Sequence, residues 1–131
     1  MIVVDSSALV AILLRESDHI QFATAIADAK ELLIAAPNAL EFSMLAIGKF
    51  GDEGGLMAEA LIAQTEISIV PFDAQQVSFA VAAFLRFGRG RNHPARLNFG
   101  DCMAYALAKS LDAPLLFKGN DFSCTDVKCA I

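Results

Sequence analysis

Short apolar runs alternating with helical stretches constrain this chain more than any other feature of its sequence. Ile2-Val-Val, Leu32-Leu-Ile-Ala-Ala36, Glu66-Ile-Ser-Ile-Val-Pro71 and Pro114-Leu-Leu-Phe117 read as strands. Helices are expected over residues 6–14, 18–30, 38–50 and 53–64, then from a cap at Asp73 to Phe87, and from a cap at Asn98 to Leu111. Ser17 or Asp18 caps the second helix, Pro37 stops the second strand, and Gln76 completes a capping box with Asp73. Strands that are apolar on both faces, each followed by a helix, belong in a parallel sheet covered on both sides. The expected fold is a three-layer α/β/α sandwich around a central parallel sheet of four to five short strands. Residues 126–130 supply the possible fifth strand at an edge. With 131 residues and no linker, repeat or low-complexity tract, residues 1–131 read as one domain.

Composition excludes two classes. Hydrophobic residues make up 56% of the chain and charged residues 19%, too apolar for disorder. The surplus suits a doubly covered sheet and an oligomer interface besides. The apolar start, Met1-Ile-Val-Val-Asp5, has no basic flank, and the stretch after it stops at Arg15 and Glu16. Neither a secretory signal nor a membrane span of about 20 apolar residues is therefore expected. The cytosol is the default compartment, where Cys102, Cys124 and Cys129 read as free thiols whose spacing matches no zinc pattern.

The net charge of −5 argues against a protein that coats nucleic acid. Residues 74–100, however, hold Arg86, Arg89, Arg91 and Arg96 and no acid, so the rest of the chain is strongly acidic. Arginine forks match phosphate geometry, and a Gly-containing basic loop of this kind could hold a nucleic-acid backbone. A solvated loop, or one that pairs with the acids of a partner, is the plain alternative.

Four acids fall at one edge of the expected sheet. In open parallel sheets the ligand crevice lies beyond the carboxyl ends of the strands. Asp5 ends the first strand, Glu41 lies in the first turn of the helix after the second, and Asp121 follows the fourth across Lys118-Gly-Asn120. Asp101 lies in the first turn of the helix entered from the arginine loop. Gathered carboxylates repel one another unless a cation sits among them, and hard oxygen donors suit Mg²⁺ or Mn²⁺. Each acid has a plainer reading. Glu41 and Asp101 could favour helix N-termini, Asp101 fits a capping-box position after Asn98, and Asp121 could be a turn residue. Asp5, an acid at the end of an apolar strand, is the hardest to explain away.

Ile2-Val-Val-Asp5-Ser6-Ser7, Glu41, Asn98-Phe-Gly-Asp101-Cys-Met and Phe117-Lys-Gly-Asn-Asp121-Phe, with Thr125-Asp126, resemble a PIN domain. The resemblance is narrower to the VapC toxin ribonucleases of prokaryotic toxin–antitoxin pairs, and it runs the whole length in order. It implies an acidic site of Asp5, Glu41, Asp101 and Asp121, with Ser6 as the small hydroxyl after the first aspartate. Many relatives carry an acid where Asn120 stands, which leaves Asp126 as a possible substitute ligand, although a structural role is the favoured reading of Asp126. The resemblance further implies Mg²⁺-dependent endoribonuclease activity leaving a 5′-phosphate and a 3′-hydroxyl, a homodimer, and inhibition by a cognate antitoxin. The arginine loop, just before Asp101, is placed to hold RNA or an antitoxin's acidic segment.

Other constellations are weaker. His19 and His93 stand far from any nucleophile, no phosphate-cradling Gly motif occurs, and Phe79, Phe84, Phe87 and Phe99 read as packing or dimer contacts. Two rival classes remain. An Asp-based phosphotransfer domain would want a second Asp where Ser7 stands, or a phosphoacceptor where Val70-Pro-Phe72 stands. A non-catalytic binding module with a PIN-like fold is the other.

Overall fold

In the computed structural model, which describes residues 1–131, four strands form one parallel sheet. They are β1 (Ile2–Val4), β2 (Leu32–Ala35), β3 (Ser68–Val70) and β4 (Leu115–Leu116), in the order β3-β2-β1-β4. The register pairs Val3 with Leu33 and with Leu115, Val4 with Leu116, and Ile34 with Ile69. The helices are α1 (Ser6–Leu13), α2 (His19–Asp28), α3 (Ala36–Phe50), α4 (Asp52–Gln64), α5 (Ala74–Phe87) and α6 (Phe99–Ser110).

The pleat sends alternate strand residues into two cores. Val3, Leu33, Ala35 and Leu115 pack with Ala83, Phe87, Tyr105 and Leu107 of α5 and α6. Val4, Ile34 and Leu116 pack with Leu9, Phe22, Phe42 and Ala58 of α1 to α4. The three-layer α/β/α arrangement read from the apolar strands is thus the observed one. Burying a side chain such as Leu9 or Phe42 on either face contributes on the order of 2 kcal/mol.

Several expected boundaries move, for identifiable reasons. Residues 126–130 form no fifth strand: β4 is two residues long, and a single parallel bridge joins Leu115 to Cys129. The segment is held by Leu115 N–H donating to Lys128 and Ala130 N–H donating to Leu115, at 2.8 and 3.0 Å. Glu66 has φ 55°, a left-handed conformation incompatible with a strand, so β3 begins only at Ser68. Pro37 does not end β2 from outside. It sits in the first turn of α3, where its missing N–H leaves no helical bond unmade. Gln76 does not close a capping box. Asp73 accepts from its backbone N–H at 2.9 Å, but the Gln76 side chain donates to the Pro71 carbonyl instead.

A candidate active site at the carboxyl edge of the sheet

Asp5 leaves β1 and becomes the N-cap of α1. Its Oδ2 accepts from the Ser7 backbone N–H at 3.0 Å and from the Ser7 hydroxyl at 2.5 Å. The residue is only 4% exposed. Burial is the largest influence on its carboxyl; the Ser7 bonds oppose it and the charges of Asp101 and Glu41 reinforce it, so the pKa is pushed up to about 7. Asp5 therefore has a capping partner that the sequence reading did not supply, and no lysine or arginine pairs with it.

Asp101 enters the same edge from α6. Its Oδ2 accepts from Asn98 N–H at 3.0 Å while Asn98 Oδ1 accepts from Asp101 N–H at 2.9 Å, a complete capping box. The capping reading of Asp101 is correct as far as it goes, and Oδ1 has no hydrogen-bond partner. Burial raises its pKa to about 6 against the Asn98 bond, with Asp121 and Glu41 adding negative charge and Arg89 offsetting part of it. These mutual influences place all four acids in one electrostatic neighbourhood.

Glu41 reaches this neighbourhood by a close approach. Because α3 starts at Ala36, Glu41 lies in the second turn of the helix and not the first, so the helix dipole does not explain its presence. Its carboxylate lies against Gly100 in the first turn of α6, in space a Cβ there would occupy. Ser6 donates to Glu41 Oε1. Fully buried Asn38, one helical turn before Glu41, donates to the Gly100 carbonyl at 3.0 Å and pins α6 against α3. Asp121 lies exposed in the loop after β4, beside Asn120.

None of these acids is ion-paired to a lysine or arginine. No three His, Cys, Asp or Glu side chains are drawn tightly enough together to form a ready-made cation cage. The donor set is nonetheless all oxygen. Mg²⁺ keeps several waters and takes only one or two carboxylates directly, so an open acidic edge fits it better than it fits zinc.

Asp126 lies elsewhere. It accepts from Tyr105 Oη at 2.6 Å and Lys109 Nζ at 3.2 Å and pairs with Arg86 at 3.4 Å, binding the C-terminal segment to α6. Arg86 also stacks over Phe87 at 4.6 Å and belongs to this structural network more than to the loop. Arg91 folds back through Nε onto the Leu85 carbonyl at 3.2 Å. Arg89 and Arg96 are exposed, and Arg89 is close enough to influence Asp101. His93 stacks edge-on against Phe87 at 5.0 Å and accepts from Ala95 N–H, a local structural role. Cys102 is buried in α6, Cys124 and Cys129 are exposed, and all three are free thiols.

Sequence reasoning missed Ser7, Asn38 and Gly100. Asn38 carried a usable signal, since three residues before Glu41 means one helix face. Ser7 carried a weaker one, as the second residue after an Asp cap.

The doubly wound sheet with carboxylates at its carboxyl edge defines a class. The PIN domain model matches residues 2–128, and the chain belongs to the PIN-domain family, among the VapC ribonucleases. It is 40% identical over 129 residues to Ribonuclease VapC28 of Mycobacterium tuberculosis, covering 98% of this chain and 97% of that protein. It is 42% identical over 125 residues to Ribonuclease VapC of Mycolicibacterium smegmatis, covering 95% and 96%. The fold matches the crystal structure of Mycobacterium tuberculosis VapC20, a Sarcin-Ricin loop cleaving toxin, with TM-score 0.78 at 18% identity, covering 97% of this chain and 96% of that one. VapBC2 from Rickettsia felis, bound to a DNA fragment from its promoter, matches with TM-score 0.76 at 12% identity, covering 98% and 97%.

Proposed function

We propose that this chain is a metal-dependent endoribonuclease, the toxin of a type II toxin–antitoxin pair, hydrolysing RNA phosphodiester bonds at the acidic edge. The observation that carries the reading is that buried Asp5 and partly buried Asp101 share a neighbourhood with Glu41 and Asp121 while no basic side chain pairs with any of them. Buried charge is costly when uncompensated, and a hard divalent cation, Mg²⁺ or Mn²⁺, is the compensation this donor set suits. When bound, the cation supplies an acidified water and neutralises charge growing on the phosphate oxygens.

Asp5 and Asp101 would hold the cation, each having an Oδ1 that its local hydrogen bonds leave free. Glu41, whose Oε1 accepts from Ser6, and the loop residue Asp121 would complete the acidic set around the cation and its water. Arg89 and Arg96, with Arg91 beside them, hold the RNA backbone by charge. In-line attack by water leaves a 5′-phosphate and a 3′-hydroxyl. The chain acts in the cytosol, as a homodimer, and is restrained by a cognate antitoxin; no helix is long and apolar enough to cross a membrane. Exposed apolar side chains support protein partners of this kind, among them Leu40, Met44 and Leu56 on α3–α4 and Val81, Leu85 and Phe99 on α5–α6.

The test is cleavage of end-labelled total RNA with Mg²⁺ or Mn²⁺, beside an Asp101→Asn protein purified identically. Asparagine keeps an oxygen for the Asn98 cap but removes the charge. Fragments that require metal, carry 5′-phosphates and disappear with the variant are expected. Equal cutting by both proteins contradicts the assignment.

A further inference from the structure

Two adjacent hydroxyls at the start of α1 serve different acids. Ser6 donates to Glu41, and Ser7 donates to Asp5. The Ser7 backbone N–H already makes the capping bond to Asp5 Oδ2 at 3.0 Å, which is all that helix capping requires. The hydroxyl then adds a second donor to the same oxygen at 2.5 Å.

What aims that hydroxyl comes from the far end of the chain. The Lys118 backbone N–H donates to Ser7 Oγ at 2.9 Å. A serine hydroxyl has one proton and two lone pairs, so an N–H approaching the oxygen leaves the proton to point elsewhere, here at Asp5. Lys118 is itself fixed, because its ammonium bonds to Glu16 and, at 2.9 Å, to Asp18. A continuous polar chain therefore runs from Glu16 and Asp18 through Lys118 and Ser7 to Asp5. Asp121 follows Lys118 by three residues.

We propose that Ser7 is a positioning residue for the cation site. Its hydroxyl, oriented by the Lys118 amide, holds the Asp5 carboxylate with Oδ1 presented to the cation and ties Asp5 to the loop that carries Asp121. Two donors on one oxygen fix the plane of a carboxylate that one donor would leave free to rock, and hydrogen bonds to an ionised acceptor are the stronger kind. Outer partners of this type set ligand direction without touching the metal. The proposal rests on the metal-dependent reading above.

The experiment is Mn²⁺ titration of the full chain without RNA, followed by electron paramagnetic resonance, for wild type, Ser7→Ala, Ser7→Thr and Asp5→Asn, with thermal unfolding recorded for each. Ser7→Ala is expected to weaken Mn²⁺ binding about 10–100-fold, as loss of an outer partner does. Ser7→Thr, which keeps the hydroxyl, is expected to restore most of the affinity. In cleavage assays Ser7→Ala should raise the Mg²⁺ concentration for half-maximal rate more than it lowers the rate at saturating Mg²⁺. Should Ser7→Ala fail to fold, Ser7→Cys, with its weaker donor, takes its place and is expected to bind Mn²⁺ more weakly than wild type. Wild-type affinity in the folded alanine or cysteine variant, whatever its melting temperature, overturns the proposal. If Asp5→Asn loses Mn²⁺ while Ser7→Ala keeps it, the positioning role falls and the metal reading stands. If wild type takes up no Mn²⁺, both fall.

Discussion

Asp5 is 4% exposed and its carboxylate takes two hydrogen bonds from Ser7, whereas Arg89, Arg91 and Arg96, on the loop leading into Asp101, are all exposed. Among those arginines only Arg91 uses its side chain on a local hydrogen bond. Asp5 sits at a strand end and Asp101 at a helix start, where the sheet and the caps set the backbone, and Glu41 is placed by the approach of α3 to Gly100. The loop is closed by one bridge between Gly88 and Leu97 and turns through left-handed residues at Gly90, Asn92 and Arg96. On the proposed reading the difference separates two tasks. Metal chemistry needs donors fixed to fractions of an ångström, while a polyanion is held by charge that can adapt.

The largest expected effect breaks the rigid half. Asp5→Asn and Asp101→Asn each remove a charge from the site and should lower Mg²⁺-dependent cleavage by roughly 10²-fold or more, the equivalent of about 3 kcal/mol of transition-state stabilisation. Circular dichroism should show both variants folded, since asparagine retains a capping oxygen in each place.

The second prediction uses protons. Asp5 and Asp101 have pKa values raised to about 7 and about 6 from a normal value of 3.8. A raised acid favours the fold when neutral, so this stabilisation of the metal-free protein is full below about pH 4 and is lost as pH rises toward 7. A cation reverses the preference, because it requires the ionised acids. The rise in melting temperature on adding Mg²⁺ should therefore be small at pH 5 and clearly larger at pH 8. An equal rise at both would mean that the added ion acts away from these acids.

Smaller effects belong to the loop. Arg89→Ala and Arg96→Ala should raise the KM for RNA severalfold with little change in kcat, and each should reduce the salt dependence of RNA binding by about 0.7 in the log–log slope. Arg86→Ala should do least. Its side chain is 65% exposed in the pair with Asp126, so the expected loss is stability of about 1 kcal/mol or less with unchanged salt dependence. A full salt-slope change for Arg86→Ala would return that residue to the RNA-holding set.

The layers of the fold were legible because β1, β2 and β4 are apolar on both faces and Pro37, Gly51, Asp73 and Asn98 punctuate the chain. The fifth strand was not, since residues 126–130 carry a strand-like pattern but Asp126 is claimed by Tyr105, Lys109 and Arg86 before pairing can extend. The four acids could be placed at one edge by topology alone. What topology could not give was which hydroxyl serves which acid. Ser6 and Ser7 are identical in sequence terms, and only the 100° step between successive helical residues sends one to Glu41 and the other to Asp5. Gly100 was invisible for a related reason, and Asn38 could be placed only on the helix face of Glu41: what both residues do lies in the crossing of α3 against α6, a contact between elements distant in the chain.

The central claim, that this acidic edge is where the cation binds, is tested most directly by a crystal structure of the full chain grown with Mn²⁺, with anomalous scattering collected to locate the ion. An anomalous peak within coordination distance of Asp5 Oδ1 and Asp101 Oδ1, with Ser7 still bonded to Oδ2, is the predicted result. A fully occupied Mn²⁺ elsewhere, or an acidic corner left without metal at millimolar Mn²⁺ and pH 8, would contradict it.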